Sequence, residues 1–105
     1  LGAISLTINP EFELFKNEFP EVYASFHQLY RSITSKALDE KTKQLVYLGI
    51  LTASRYVPAI RVHIQLALKS GATKDEIKEA MMLAIPAGGL CNFLSVLPDT
   101  LEELK

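Results

Sequence analysis

Few side chains in this sequence join a reactive type to a spacing that chemistry can use. His63 is the first. It lies inside the apolar run Ile60-Arg-Val-His-Ile-Gln-Leu-Ala67, one turn after Ala59 and one before Ala67. An imidazole in a pocket donates or accepts a proton near neutral pH. The plainer reading, and the commoner one from periodicity alone, is a core or interface histidine with a satisfied hydrogen bond. Gln44 shares a helical stripe with Leu48 and Leu51, and its place near a helix start reads as surface. Tyr56 stands at a break between two helices. Its hydroxyl could give a proton or a hydrogen bond, although an aromatic wedge at a turn is the commoner role. Cys91 follows Gly88-Gly89. A reactive thiolate needs an electropositive, accessible setting, whereas Leu90, Phe93 and Leu94 predict a packed, inert thiol. Met81-Met82 reads as core filling.

Simple counts narrow the chemistry further. One cysteine in 105 residues rules out an intrachain disulfide, a redox pair within the chain and a cysteine-based zinc site. A reducing cytoplasm is the expected location. The two histidines, His27 and His63, fall on different predicted helices, so no metal ligand set is legible. No cofactor motif appears either, since Gly88-Gly89 lacks the spacing and the following Lys of a phosphate-cradling loop. Eleven Lys+Arg against twelve Asp+Glu leave a net charge of −1, without the basic excess of a general nucleic-acid binder. The segment around Gly71 superficially resembles a helix-turn-helix reader. Its second helix opens Lys74-Asp-Glu-Ile-Lys-Glu, balanced to acidic where phosphate would lie. The first residues do not read as a signal peptide, and no apolar run is long enough to span a bilayer. With 49% hydrophobic and 22% charged residues, the chain is globular. A small chain this apolar is expected to hide part of its surface in an oligomer.

The elements that must position these residues are all helices. Asn9-Pro10 reads as an N-cap and first helical position, opening a helix over about 10–18 with Phe12, Phe15 and Phe19 on one side. Pro20 restarts the chain into an amphipathic helix over about 20–34. Residues 35–38 form a connector, and Asp39 caps the next helix, about 40–55. Its apolar residues fall nearly all round, which predicts burial. Gly49 in its interior predicts a close helix–helix approach. Pro58 suits the first turn of a helix that runs to about Ser70, with Ile60, His63, Ile64, Ala67 and Leu68 inward and Gly71 just beyond its end. Thr73 and Glu76 form a capping box. Ile77, Ala80, Met81, Ala84 and Ile85 make the inner stripe of the following helix, which Pro86 kinks or ends. A last helical stretch, Leu90 to Leu97, stops before Pro98, and the charged tail is helical or frayed. No sustained period-two alternation and no repeat appears. The class is all-α, a small antiparallel bundle in a single domain, 1–105.

The stretches Leu38 to Ser54 and Ile60 to Ala80 carry a resemblance. Their most specific elements are His63, the Gly71-Ala-Thr turn and the Glu76-Ile-Lys-Glu-Ala80 that follows. They resemble the carboxymuconolactone decarboxylase family, which includes the alkylhydroperoxidase D type proteins. The match covers roughly 38–90, with 1–37 as additional N-terminal helices. The resemblance implies an all-helical fold assembling as homotrimers or homohexamers. In the peroxidase branch it implies a Glu, a Cys-x-x-Cys pair and a His four residues after the second Cys. Those places fall here on Gln44, Tyr56, Ala59 and His63. The His is kept, both thiols are absent, and the carboxylate is an amide. Thiol peroxidase chemistry is therefore not expected, because it needs a thiolate nucleophile and a resolving thiol. The decarboxylase branch does not use the cysteine pair. It implies a small organic acid as ligand, with His63 protonating a dienolate while Tyr56 and the Gln44 amide hold the substrate. The other reading is a catalytically silent oligomer of the same fold.

Overall fold

The computed structural model describes residues 10–34 and 37–105. Among them there are helices and no strand: α1 (Pro10–Glu18), α2 (Pro20–Ile33), α3 (Glu40–Ser54), α4 (Val57–Lys69), α5 (Lys74–Met82), α6 (Ile85–Gly88) and α7 (Leu90–Glu103). The all-α expectation holds. The predicted cap at Asn9 lies outside the described residues. The chain divides into two compact units, Leu1–Leu38 and Asp39–Lys105.

The first unit is a helical pair held by rings. Phe12 of α1 meets Tyr23 and Phe26 of α2 at centroid distances of 5.4 and 5.8 Å. Phe15 meets the same two rings at 5.9 and 6.4 Å. Pro20 sits in the first turn of α2, where its missing N–H costs nothing. No residue of α1 or α2 is buried.

The second unit holds the core. Asp39 caps α3 by accepting a 2.7 Å bond from the Thr42 amide, and that bond holds its carboxyl below the usual carboxylate range. Thr73 and Glu76 form the predicted capping box. Gly71, at φ 97°, ends α4 in the left-handed region that favours glycine. Around α3 pack α4, α5, α6 and α7, and Leu48, Ile60, Ile64 and Ile77 are fully enclosed between them. Each such side chain contributes about 1.5–3 kcal/mol of burial. A Cβ on Gly49 would stand 3.2 Å from the Ala80 carbonyl oxygen, so this glycine does mark a close approach of α3 to α5.

Five expectations need correction. α3 is not buried all round, because Val46 and Ile50 are 51% and 57% exposed. α5 ends at Met82 rather than near Ile85. Pro86 cannot donate to the Met82 carbonyl, so the chain tightens through Leu83–Ala84 and restarts as α6. α7 runs through Pro98 to Glu103. The second half of α7 is tied from outside: Arg61 of α4 bonds Asp99 at 2.6 Å and Glu103 at 3.0 Å, and Gln65 bonds Glu103 at 2.7 Å. Finally, Cys91 is exposed, not packed. One side of the N-terminal half of α7 faces outward, with Leu90 53% and Leu94 49% exposed, while Phe93 packs against the core. Of the methionine pair, Met81 is buried and Met82 is 46% exposed.

Candidate functional site

Val62, His63 and Ile64 are three successive buried residues on α4. Successive positions on a helix lie about 100° apart, so α4 is enclosed over most of its circumference here. His63 is 1% exposed. Its Nδ1 lies 2.7 Å from Oε1 of Gln44 on α3. With the amide oxygen facing the ring, Nδ1 carries the hydrogen and donates it, which leaves Nε2 as the basic nitrogen. The edge of the contact is completed by Tyr47, one turn along α3, whose ring meets the imidazole T-shaped at 4.5 Å. Burial pushes the His63 pKa down to about 4, so the imidazole is neutral at pH 7. Burial likewise pushes the Tyr47 phenol above its ordinary range.

The structure thus brings together two of the three residues singled out from sequence. Gln44 is not at the surface. It is 6% exposed, and its amide finds its partner 19 residues away on the neighbouring helix. A buried amide without such a bond would cost about 1–3 kcal/mol. Tyr56 is not part of the pair. It sits at the α3–α4 junction, 44% exposed, and no hydrogen bond joins it to His63 or Gln44. Just before it, Arg55 closes α3 at φ 60°, a left-handed position that costs about 1–3 kcal/mol for such a residue. Tyr47 is the residue that sequence reasoning missed. Its three-residue step from Gln44 along α3 was the available signal.

Among the described residues no group of three or more His, Cys, Asp or Glu is placed to hold a metal ion. No described helix is long and apolar enough to cross a membrane. A groove of about 540 Å³ runs between α3 and the α5–α6 segment, and neither His63, Gln44 nor Tyr56 lines it.

Two uncharacterized proteins of Methanocaldococcus jannaschii resemble the chain. One is 29% identical over 91 residues, covering 86% of this chain and 85% of its own length. The other is 29% identical over 94 residues, covering 88% and 89%. No solved structure matches the chain. The model of the carboxymuconolactone decarboxylase family matches residues 20–98, a span that holds the capped α3, the buried His63–Gln44 pair and the Gly71–Thr73 turn, and the chain belongs to that family.

Proposed function

We propose that the chain is a non-redox small-molecule enzyme of the lyase or decarboxylase kind, acting on a small organic acid, with His63 as its proton-handling group. The observation that carries this reading is the buried, neutral His63 held at 2.7 Å by Gln44. A bonded Nδ1–H leaves Nε2 basic, and an anionic substrate beside it favours the charged ring. In this reading, binding of the carboxylate draws one proton from solvent onto Nε2. The carbon–carbon bond to the carboxylate breaks, carbon dioxide leaves, and the electron pair passes into the conjugated carbonyl as a dienolate. The imidazolium returns its proton to carbon and is neutral again. Gln44 orients the ring, and the Tyr56 hydroxyl serves as a hydrogen-bond donor to the substrate. Thiol peroxidase activity is absent from this reading, because Tyr56 and Ala59 stand at the motif places and supply no thiol.

The second reading is a catalytically silent member of the fold. What favours it is the 1% exposure of His63, since substrate reaches Nε2 only if the covering side chains part. Both readings take the chain to act as a homo-oligomer in the cytoplasm, where an exposed, unpaired Cys91 stays reduced. The test is a panel of unsaturated lactone acids in deuterated water, followed by NMR. The enzyme reading expects carbon dioxide release with deuterium at the vacated carbon, lost in His63→Ala with helicity retained. No release from the panel, together with no shift of the His63 resonances by any acid, would leave the silent reading standing.

A further inference from the structure

His63 is enclosed, yet its two neighbours on α3 differ in how firmly they enclose it. Gln44 is 6% exposed and holds Nδ1, so its departure would break the bond that fixes the tautomer. Tyr47 is only part-buried and packs at the margin of the core. Its ring meets the imidazole at 4.5 Å and 83°. Three residues after Gln44 and three before Ile50, Tyr47 stands about 60° round α3 from each. Gln44 is buried and Ile50 is 57% exposed, so Tyr47 marks the line where α3 passes from core to surface. On α4, Ala59 and Leu66 flank His63 four residues before it and three after, and both are part-buried. The two share one side of their helix with His63. The imidazole is therefore sealed at the edge of the α3–α4 seam and not at the centre of the core.

We propose that Tyr47 is the gate over His63 and sets the size of the acid admitted: its ring swings outward, and one planar ring of similar size takes its place beside the imidazole. The proposal rests on the reading of His63 as the proton-handling group and says how substrate reaches it. Tyr47 is the contact that gives way at least cost. Part of its surface already meets water, whereas parting Gln44 from His63 leaves a buried amide unpaired. The space a phenol ring vacates holds a single ring. An acid built on one ring fits it, and an acid built on two fused rings does not. The admitted ring takes over the edge-to-face contact with the imidazole. A gate that is mostly closed weakens apparent binding by the fraction of molecules that are open. Removing the Tyr47 ring therefore tightens the binding of one-ring acids.

Diethyl pyrocarbonate, which acylates neutral imidazole, tests the gate without turnover. His27→Gln leaves His63 as the one imidazole in the chain, and the absorbance of the acylated ring then reports His63 alone. In that background Tyr47→Ala should react about tenfold faster than the parent or more. Tyr47→Phe keeps the ring and should stay close to the parent. Leu51→Ala truncates a core residue of the same helix and controls for general loosening, with far-UV circular dichroism confirming the helices of each variant. Furoate, a one-ring acid, should protect Tyr47→Ala at a concentration about tenfold lower than it needs in the parent, and naphthoate should protect neither. Equal rates in the parent and Tyr47→Ala would overturn the gate, as would Tyr47→Phe or Leu51→Ala reacting as fast as Tyr47→Ala. Protection by naphthoate equal to that by furoate would overturn the size limit. Gated acylation and furoate protection in a chain that releases carbon dioxide from no lactone acid would overturn the enzyme reading and leave the gate standing.

Discussion

At 2.7 Å the Nδ1···Oε1 contact decides which nitrogen of His63 carries the hydrogen, and its burial decides the charge. Together they give a pH dependence. An unfolded histidine titrates near 6.5, whereas burial lowers His63 to about 4. Between these values the unfolded chain binds the proton more readily, so stability rises with pH across the window. The contribution is fully present above the unfolded value and is lost as the pH falls toward about 4, amounting to something on the order of 3 kcal/mol. Chemical denaturation at pH 7.5 and 4.5 should show this loss, and His63→Leu should remove it while lowering stability at pH 7.5 by leaving Gln44 unpaired. Equal wild-type stability at both pH values would refute the assignment. A companion substitution, Gln44→Glu, returns a carboxylate to the position the family resemblance assigns to one. An adjacent negative charge favours imidazolium, so the His63 pKa should rise by about 1–3, as read from its imidazole resonances. An unchanged titration would mean that the two groups are not in contact in solution.

Elements form where local chemistry and tertiary ties agree, and α7 shows what happens when they do not. Pro98 removes one backbone bond and clashes with the preceding turn, a cost of about 3 kcal/mol in a free helix. Yet α7 continues, because Arg61 and Gln65 of α4 hold Asp99 and Glu103, while Val96 and Thr100 are buried. Arg61→Leu should therefore fray α7 beyond Pro98. The ion pairs are about a third exposed, so the global loss should be only about 1 kcal/mol. Amide hydrogen exchange should show protection falling selectively over residues 99–103, and uniform loss or none would contradict the tie. The same comparison explains what was legible in sequence. Asp39 with Thr42, Thr73 with Glu76, and Gly71 are signals four residues long or shorter, and each formed as read. Gln44 and the run of α7 through Pro98 were not legible, because the ties that decide them, Gln44 to His63 and Asp99 to Arg61, span 19 and 38 residues, between helices whose facing sides no local pattern gives. Tyr56 was placed at the right junction, but nothing in its spacing told whether its hydroxyl would turn toward His63.

Over the whole molecule, the count of one thiol bears most directly on chemistry. Thiol-based peroxide reduction proceeds when a thiolate attacks the peroxide oxygen, giving a sulfenic acid and water, and a second thiol then condenses with the sulfenic acid to a disulfide. In this chain the only sulfur that can begin the sequence is Cys91, exposed at the start of α7. It is remote in sequence from the positions 56 and 59 at which the family resemblance places the thiol pair, and the chain offers it no resolving partner. The catalytic cycle therefore cannot close within the chain. Without added reductant, hydrogen peroxide consumption should level off at about three equivalents per chain at most, as Cys91 passes from sulfenic to sulfinic and sulfonic acid. With a thiol reductant present, wild type and Cys91→Ser should consume peroxide at the same background rate within about twofold, because the sulfenic acid is then returned by the reductant alone and no site accelerates the attack. Turnover tens of times above Cys91→Ser would show a sulfur chemistry that the arrangement around Tyr56, Ala59 and His63 does not provide. It would move the functional centre of the molecule from the buried histidine to the exposed end of α7.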